Sequence, residues 1–598
     1  MKYKLINPPS NKYNAQQQIL INRGIDEKDI SHYMNLTDND INPPEALGKE
    51  LLEKAAAALR ATLDQPDKEI AVIVDCDCDG YTSSAVLINY LHDLAPAYTE
   101  NHVHWYHHQG KQHGLQDSID WIEDIGADLV IIPDAGSNDW NELQKLHEQG
   151  RAVIILDHHE IEGEAYPNCV LINSQLPQYP NKELSGVGVV WQFCRYLDKI
   201  YNVSYADNYL DLVALGLDGD MMSLRSLETR RLISKGLEPN RIINPFIYEM
   251  WQKNKFKLGD TPTAWGFTFY VVPFVNAITR SGTLEEKELI FNSMLKFKAF
   301  QQIPSNKRGH KLGEMERLVD QAVRTCTNVK NRQGRAEDAG LELVEHLIKD
   351  NNMMEHKVLL FLLEPGQIQP EIRGLIANKL MAKYQRPCCM LTETWSDIIS
   401  NDPKDLGKRK ISYQGSARGC DMVGVTEFKD ICAATQSCDY VAGHQGAFGL
   451  GLPAENIDKF IASTDEQLKD MSSEPLYYVD YIWNPTEFFG QDILDIAKMA
   501  PYWGKDVSEP LVAIQGVEVT KDNIQLMKSN TVKITLPNGV NMIKFNMPEE
   551  DYNQLYSTTG EVTINVVGKC NVNYWNNYEY PQILIENFEI IKKCAYIF

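Results

Sequence analysis

Three apolar stretches in the first third of the chain each end in acidic residues or histidines. They are IAVIVDCDCDG (Ile70–Gly80), ADLVIIPDAG (Ala127–Gly136) and RAVIILDHHE (Arg151–Glu160). Helix-like segments such as TSSAVLINYLHDL and SNDWNELQKLHEQG separate them. Alternating apolar strands and helices indicate βαβ units and a buried parallel sheet. Because ligands bind beyond the carboxyl ends of the strands in such a sheet, we expect the charged ends to meet at one edge.

The first stretch carries three aspartates at alternate positions. If the strand continues through them, Asp75, Asp77 and Asp79 share one face, since side chains alternate along a strand. Cys76 and Cys78 then point away from that face, into packing.

The other two stretches add Asp134 and the run Asp157, His158 and His159. A single aspartate often only caps the following helix. Clustered carboxylates, however, raise one another's pKa unless a cation neutralises them. The set therefore favours metal binding, and ligands without thiolate favour Mn²⁺ or Mg²⁺. The number of carboxylates indicates two ions, the usual arrangement for attack on phosphorus.

Composition excludes several classes of protein. The 598 residues have a net charge of -24, 43% hydrophobic residues and a mean hydropathy of -0.35, which indicates a soluble globular protein. The sequence has no long apolar stretch for a membrane span and no apolar signal region at its start. The 12 cysteines form no CxxC pair, which favours a reducing compartment, the cytoplasm. The acidic balance still allows one local basic groove.

The motifs along the chain resemble those of one family. DCDCDG, PDAG and DHHE are similar to the first three motifs of the DHH phosphoesterase superfamily, and ALGLDGDMMSL, which contains Asp220, is similar to the fourth. LSGVGVVWQF, ETRRLISKGL and VVPFVNAITRSG resemble segments of the RecJ-type single-stranded-DNA-specific exonucleases. IRGLIANKLMAKYQRP, GSARG and AGHQGAFGLGL resemble the DHHA1 half of those proteins, and the C-terminal strands resemble their OB-fold.

Several positions depart from the family pattern. Val74 and Cys76 stand where the first motif has Gly and Tyr, and PDAG replaces VDCG. Asp218 and Gly219 precede Asp220 where Ala is usual, so either aspartate could be the ligand. HHQGKQHGL carries His and Lys where the family has an Arg-rich turn before a Gly-Tyr-Gly-Leu segment. These departures indicate a divergent branch, and a viral origin is one interpretation.

The resemblance implies an α/β fold of two α/β domains joined by a long helical connector, with a C-terminal β-barrel. The predicted segments are an N-terminal helical segment (1–65), a parallel-sheet DHH domain (66–283), the connector (284–350), a DHHA1 domain (351–470), a linker (471–509) and an OB-fold-like domain (510–598). Asn538-Gly539 marks a tight hairpin within the last segment.

The resemblance also assigns roles to single residues. The metal ligands would be Asp77, Asp79, Asp134, His158 and Asp220, with Asp134 bridging two Mn²⁺ or Mg²⁺ ions. The catalytic set would be His159, Asp75 and Asp157. In that set His159 faces the scissile phosphate and can protonate the leaving oxygen. Asp75 and Asp157 support the ligands, and the nucleophile is water. The substrate-binding residues would be Asn276, Arg280, Ser416, Arg418 and His444.

Two further features could contact nucleic acid. Tyr574, Trp575, Tyr578 and Tyr580 could stack unpaired bases, although half of them could equally be packing residues. The basic run Lys404–Lys410 could lie along a DNA path or be a solvated loop.

The sequence therefore predicts a metal-dependent 5′-to-3′ exonuclease that converts single-stranded DNA to mononucleotides. One alternative is a small-substrate DHH hydrolase acting on short oligonucleotides, cyclic dinucleotides or pyrophosphate. Another is an inactive replisome-type binding subunit, which predicts loss of metal ligands. The expected partners are single-stranded DNA and, as an open question, a DNA-bound recruiting protein. No membrane partner is expected, and the family implies a monomer.

Overall fold

The structure is a computed structural model that describes residues 1–110, 112–397, 409–472, 474–528, 530–556, 560–576 and 578–595. The first five residues of the basic run, 404–408, lie outside the described residues.

The described residues form strands and α-helices along the whole chain. The strands are β1 (Lys2–Leu5), β2 (Ile70–Val74), β3 (Val103–His107), β4 (Leu129–Pro133), β5 (Ala152–Asp157), β6 (Val170–Asn173), β7 (Gln302–Pro304), β8 (Met315–Arg317), β9 (Leu359–Leu363), β10 (Cys388–Asp397), β11 (Arg409–Arg418), β12 (Tyr440–His444), β13 (Ala447–Pro453), β14 (Leu476–Val479), β15 (Tyr481–Trp483), β16 (Val512–Val519), β17 (Ile524–Met527), β18 (Thr531–Thr535), β19 (Asn541–Lys544), β20 (Gly560–Trp575) and β21 (Tyr578–Ala595). The helices are α1 (Ala15–Asn22), α2 (Ile30–Met34), α3 (Lys49–Leu63), α4 (Cys78–Leu94), α5 (Pro96–His102), α6 (Ile119–Asp124), α7 (Trp140–Glu148), α8 (Gly186–Tyr201), α9 (Leu210–Gly219), α10 (Leu227–Gly236), α11 (Pro245–Lys253), α12 (Lys255–Leu258), α13 (Ala264–Tyr270), α14 (Val272–Ser281), α15 (Leu284–Met294), α16 (Lys296–Ala299), α17 (Leu318–Asp350), α18 (Pro370–Tyr384), α19 (Phe428–Ala434), α20 (Ile457–Gln467), α21 (Gly490–Ala497) and α22 (Glu549–Leu555).

The predicted parallel sheet is present. Its five strands run in the order β3-β2-β4-β5-β6, and every neighbouring pair is parallel. β2 and β4 are buried at every position, as expected for strands covered on both faces. Register places Ala71 beside Val130 and Val130 beside Val153, and all three belong to one buried core.

The first acidic stretch does not continue its strand. β2 ends one residue before Asp75, and α4 begins one residue after Asp77, its N-cap. The Asp77 carboxylate accepts a hydrogen bond from the backbone N–H of Gly80. The prediction that Asp75, Asp77 and Asp79 alternate along one strand face is therefore wrong. The physical reason is capping, because an aspartate that pairs an N–H group of the first helical turn starts the helix at this position.

A second, mixed sheet has the order β12-β13-β11-β10-β9. β9 and β10 are parallel, and the other neighbours are antiparallel. Ile372, Ile376 and Leu380 of α18 pack in one core with Leu359 and Phe361 of β9. This confirms the second α/β region predicted from the sequence.

The C-terminal strands form a seven-stranded sheet with the order β15-β16-β20-β21-β19-β18-β17. β18 and β19 form the hairpin predicted at Asn538-Gly539, and Gly539 has a φ of 82°. Among the described residues, no pairing between β15 and β17 closes this sheet into a barrel. β1 pairs in parallel with β14, an element that the sequence did not predict.

The chain divides into two compact units. One contains residues 1–13, 331–497 and 510–598, and the other contains residues 14–330 and 498–509. The boundary at residue 330 falls inside α17, the long helix of the predicted connector. The domain boundaries given above stay a prediction. Within the described part of the chain, every helix is too short or too polar to cross a membrane.

Candidate metal centre

The acidic strand ends of the parallel sheet converge on the carboxyl end of α9. Asp75 follows β2, Asp134 follows β4, and Asp157 is the last residue of β5, with the two histidines directly after it. Asp220 is the C-cap of α9. All of these residues belong to the unit that contains residues 14–330.

His158 lies at the centre of this cluster. Its Nε2 atom is 3.3 Å from Asp134 Oδ1, 3.4 Å from Asp220 Oδ2 and 4.0 Å from Asp79 Oδ2. Burial lowers the pKa of His158, which favours the neutral imidazole that can ligate a metal. One imidazole thus faces three carboxylates that come from distant parts of the sequence.

Two carboxylate oxygens in the cluster are buried and have no hydrogen-bond partner. They are Asp79 Oδ2 and Asp134 Oδ1. The other oxygen of Asp79, in contrast, accepts hydrogen bonds from Ser185 Oγ (2.9 Å) and the backbone N–H of Val187 (3.2 Å). A buried carboxylate without a partner is costly unless it is protonated or coordinates a cation. The donor set therefore fits divalent metal ions.

Three carboxyl groups of the cluster, those of Asp77, Asp134 and Asp220, have raised pKa values. Burial and the neighbouring Asp79 and Asp77 raise the pKa of Asp134 well above its ordinary value and that of Asp220 to about 8. Burial, Asp75 and Asp79 raise the pKa of Asp77 to about 6. Mutual repulsion of this kind is what bound cations would relieve.

Asp134 is held by an unusual backbone conformation and a close neighbour. Its φ is 65°, and its N–H donates to the carbonyl of Leu156 (2.8 Å). A Cβ atom at Gly186, the first residue of α8, would lie only 2.3 Å from Asp134 Oδ1. Only glycine lets the start of α8 approach the carboxylate this closely.

Asp157 orients the two histidines. Its Oδ1 accepts from the backbone N–H groups of His158 (2.7 Å) and His159 (3.1 Å) and lies 2.7 Å from His159 Nδ1. Burial favours a higher pKa for Asp157, but the hydrogen bond and charge of His159 outweigh it and hold that pKa below its ordinary value. Burial likewise opposes protonation of His159, yet Asp157 raises the pKa of His159 to about 9. The His159 side chain is half exposed.

The structure brings together all the predicted ligands. Within the described residues, the groups that could hold an ion include Asp75 with Asp77 and Asp134; Asp79 with His158 and Asp220; and Asp134 with His158 and His159.

The structure also distinguishes the two candidate aspartates of the fourth motif. Asp220 faces His158, whereas Asp218 is buried and accepts a hydrogen bond from Thr268 Oγ1 (2.8 Å). Asp218 belongs to none of the groups that could hold an ion within the described residues.

The predicted substrate-binding residues fall in both units. Asn276 and Arg280 lie in α14, in the same unit as the cluster, and Arg280 is exposed. Ser416 and Arg418 lie in β11 and His444 in β12, in the other unit. Their roles stay predictions.

Some residues that contact the cluster were not identified from the sequence. His113 Nδ1 lies 2.8 Å from Asp75 Oδ2, and the N–H of Gly114 donates to Asp75 Oδ1 (3.2 Å). Ser185 and Gly186 contact Asp79 and Asp134, as described above. The glycine-rich start of LSGVGVVWQF was the one available signal for the last two.

Two family models match the chain. Residues 69–217 match the DHH family, N-terminal domain, and residues 479–587 match the RecJ OB domain.

Similar curated proteins cover nearly the whole chain. YorK of Bacillus subtilis (strain 168), an SPbeta prophage-derived protein named as a single-strand DNA-specific exonuclease, is 32% identical over 596 residues, which is 99% of each chain. RecJ of the same strain, named a single-stranded-DNA-specific exonuclease, is 24% identical and is matched over 95% of this chain and 67% of its own.

Among solved structures, RecJ from Thermus thermophilus in complex with Mn²⁺ has a TM-score of 0.69 at 19% identity. The match covers 99% of this chain and 80% of that one. The Mg²⁺ complex of the same protein has a TM-score of 0.64 at 18% identity. At these identities the likeness shows a shared fold.

Proposed function

The chain belongs to the RecJ family of DHH-domain exonucleases, and on that premise we propose that it is a metal-dependent exonuclease that hydrolyses single-stranded DNA to mononucleotides. The proposed direction is 5′ to 3′. The observation that carries the proposal is the position of His158 Nε2 within 3.3–4.0 Å of three carboxylates, two of which have a buried oxygen without a hydrogen-bond partner.

Two divalent ions, Mn²⁺ or Mg²⁺, would be held by Asp77, Asp79, Asp134, His158 and Asp220. Oxygen and imidazole donors suit these ions. When bound, such ions activate water for attack on phosphorus and stabilise the charge that develops on the phosphate.

The protein's own residues would position the substrate and move a proton. Without bound metal, Asp157 raises the pKa of His159 to about 9, which favours the protonated imidazole at neutral pH. A protonated, half-exposed imidazole beside the cluster can donate that proton to the leaving oxygen. Asp157 keeps the ring in the orientation that this transfer needs.

Substrate contacts would come from Asn276, Arg280, Ser416, Arg418 and His444. Arginine suits this role because its planar fork binds phosphate through two hydrogen bonds. Family membership supports the 5′-to-3′ direction, a monomeric state and action in the cytoplasm. A DNA-bound recruiting protein is a further proposal, since the net charge of -24 disfavours general attraction to DNA.

The test is digestion of a single-stranded DNA oligonucleotide labelled at either end, with Mn²⁺ or Mg²⁺. A matched duplex and an RNA of the same sequence run beside it. Asp134→Asn keeps the shape of the side chain and tolerates positive φ, and it should lower the rate by about 1,000-fold or more. Asp124→Asn, at an exposed position at the end of α6, is the matched control and should retain the rate.

Progressive release of mononucleotides from the 5′ end of single-stranded DNA alone supports the proposal. Release from the 3′ end contradicts the direction. Turnover of dinucleotides but not of long strands moves the assignment to a small-substrate hydrolase, and binding without turnover moves it to a binding subunit.

A further inference from the structure

Three side chains of different chemistry meet beside the acidic cluster. Cys76 Sγ lies 3.8 Å from His113 Nε2 and 3.9 Å from His113 Nδ1, and the latter atom lies 2.8 Å from Asp75 Oδ2. One ligand atom from each residue lies within 4.8 Å of the other two. Asp75 and Cys76 are buried, whereas the His113 side chain is 58% exposed, so the group is open to solvent on one side.

We propose that Asp75, Cys76 and His113 form a separate site for a thiophilic divalent ion, with zinc as its representative. Thiolate, imidazole and carboxylate are the donors that zinc takes in proteins, and three protein ligands leave a fourth position for water. The acidic cluster has no sulfur donor among its predicted ligands and therefore favours harder ions. The two neighbouring sites would differ in the class of metal that they select.

The distances are close to those that coordination requires. With Zn–S and Zn–N bonds of roughly 2.3 and 2.0 Å, a tetrahedral ion separates the two ligand atoms by about 3.5 Å. With His113 Nδ1 as the ligand atom, the observed Sγ to Nδ1 distance is 3.9 Å. The 2.8 Å between His113 Nδ1 and Asp75 Oδ2 would have to open by about 0.5 Å for both atoms to ligate, which a small rotation of the exposed imidazole provides.

The backbone that carries His113 is anchored at two places. The N–H of Gly114 donates to Asp75 Oδ1 (3.2 Å). The buried Lys287 of α15 donates to the carbonyls of His108 (2.8 Å), Gln109 (3.4 Å) and Gly110 (3.4 Å). Because the adjacent Gly114 is bonded to Asp75, His113 is held near Cys76 before any ion binds.

Both new ligands lie in segments where the chain departs from its family. Cys76 stands where the first motif has Tyr, and His113 lies in the HHQGKQHGL segment that lacks the usual Arg-rich turn. These two departures, 37 residues apart in sequence, contact each other in the fold. Only Asp75 is common to this site and the acidic cluster, so an ion here would bind in addition to those held by the cluster.

The test uses cobalt as a spectroscopic substitute for zinc. The metal-free protein of 598 residues is first saturated with Mg²⁺, which avoids thiolate and would occupy the acidic cluster. Co²⁺ is then titrated, and absorption from thiolate-to-cobalt charge transfer is followed. We expect one equivalent of Co²⁺ to produce this absorption and Zn²⁺ to remove it.

Variants identify the ligands. Cys76→Ser should abolish the charge-transfer absorption, and His113→Gln should weaken Co²⁺ binding by about 10-fold or more. Cys169→Ser, a half-buried cysteine in the same unit, is the control and should leave the titration unchanged. Because His113 is largely exposed, His113→Gln tests the site even if Cys76→Ser disturbs folding.

Absence of the absorption in the unmodified protein, or its persistence in Cys76→Ser, would overturn the proposal. Its loss in Cys78→Ser alone would overturn the assignment to Cys76. The readout needs no nucleic acid, so its failure is distinguishable from failure of the proposed exonuclease function.

Discussion

At the scale of single residues, the two aspartates at the end of α9 should differ in their effect on exonuclease activity. Asp220 lies 3.4 Å from His158 Nε2, whereas Asp218 bonds to Thr268. We expect Asp220→Asn to lower exonuclease activity by about 1,000-fold, because a predicted ligand is lost, and Asp218→Asn to stay within a few-fold of the unmodified rate. The measurement is release of labelled nucleotide at saturating Mn²⁺. Equal losses in the two variants would remove the distinction between them.

The pKa of Asp220 also predicts how stability depends on pH when no metal is bound. Its folded value of about 8 exceeds the unfolded value near 4, so between those limits the native state holds a proton that the unfolded chain has released. The free energy of unfolding therefore falls as pH rises through this range. The folded pKa of His159 is about 9, above the unfolded value near 6.5, so His159 also lowers the free energy of unfolding as pH rises above 6.5. The pKa of His158 is lowered in the folded protein, so His158 changes the free energy of unfolding only below pH 6.5.

We expect the melting temperature of the protein in chelator to fall by a few degrees between pH 6.5 and pH 8. Asp220→Asn should reduce this slope because it removes the group that ionises, and saturating Mn²⁺ should reduce it by stabilising the carboxylates. Thermal unfolding followed by circular dichroism measures the melting temperature of the unmodified protein in chelator, of the variant in chelator and of the protein with Mn²⁺. Parallel slopes for the unmodified protein and the variant would show that Asp220 does not titrate in this range.

At the scale of elements, the start of α8 controls where the Asp134 carboxylate lies. Gly186→Ala would place a methyl group 2.3 Å from Asp134 Oδ1, so the carboxylate must move. We expect Mn²⁺ affinity to fall by about 10- to 100-fold while the helix remains formed. Calorimetric titration with Mn²⁺ measures the affinity, and circular dichroism checks the helix.

Gly334→Ala in α17 is the matched control, since its added Cβ would meet no atom within 4 Å apart from its chain neighbours and the nearby backbone of its own helix. It should leave Mn²⁺ affinity unchanged and raise the free energy of unfolding by up to about 1 kcal/mol, because alanine favours the helix. A similar loss of affinity in both variants would mean that the approach of α8 to Asp134 is unimportant.

The elements that the sequence predicted well are those whose signal is local. β2, β4 and β5 are continuous apolar runs separated by helix-like segments, so their burial and parallel pairing could be predicted from that local pattern. The boundary between β2 and α4 did not, because capping by Asp77 competes with strand alternation over the same few residues. The pairing of β1 with β14 joins segments more than 470 residues apart, and the polar sequence of β1 gives no sign of it.

The residues of the candidate site could likewise be predicted from the sequence only where the signal is local. Asp134 and His158 could be placed together because parallel strands end at one edge. Asp220 came only from the resemblance of its motif, since nothing local brings the end of α9 to that edge. The contact of His113 with Asp75 depends on a turn that the sequence does not specify, and it emerged only from the fold.

At the scale of the whole molecule, the proposed contact with DNA would have to be local, because the net charge of -24 disfavours general attraction to a polyanion. One face of the β20–β21 hairpin offers exposed aromatic rings for this purpose, and the charged Glu579 lies on the opposite face, where it pairs with Tyr574. Trp575 pairs with Tyr578 and Asn573 pairs with Tyr580, so Trp575, Tyr578 and Tyr580 share one face. Tyr574 lies on the opposite face, and its exposed fraction of 68% nearly equals the 66% of Trp575.

The exposed rings of this hairpin lead us to expect that it affects binding of long DNA strands more than cleavage of short ones. Exposed aromatic rings on one strand face can stack unpaired bases, at roughly 1–3 kcal/mol per base. We expect Trp575→Ala to weaken binding of long single-stranded DNA by about 10-fold because one stacking ring is lost, and to leave cleavage of dinucleotides unchanged because the proposed metal ligands stay in place. Fluorescence anisotropy measures the binding, and nucleotide release measures the cleavage.

Tyr574→Ala removes an equally exposed ring from the other face and should leave both quantities unchanged. Equal weakening by the two variants would show that the contact is not confined to one face, and a loss of dinucleotide cleavage in Trp575→Ala would contradict a role limited to binding long strands.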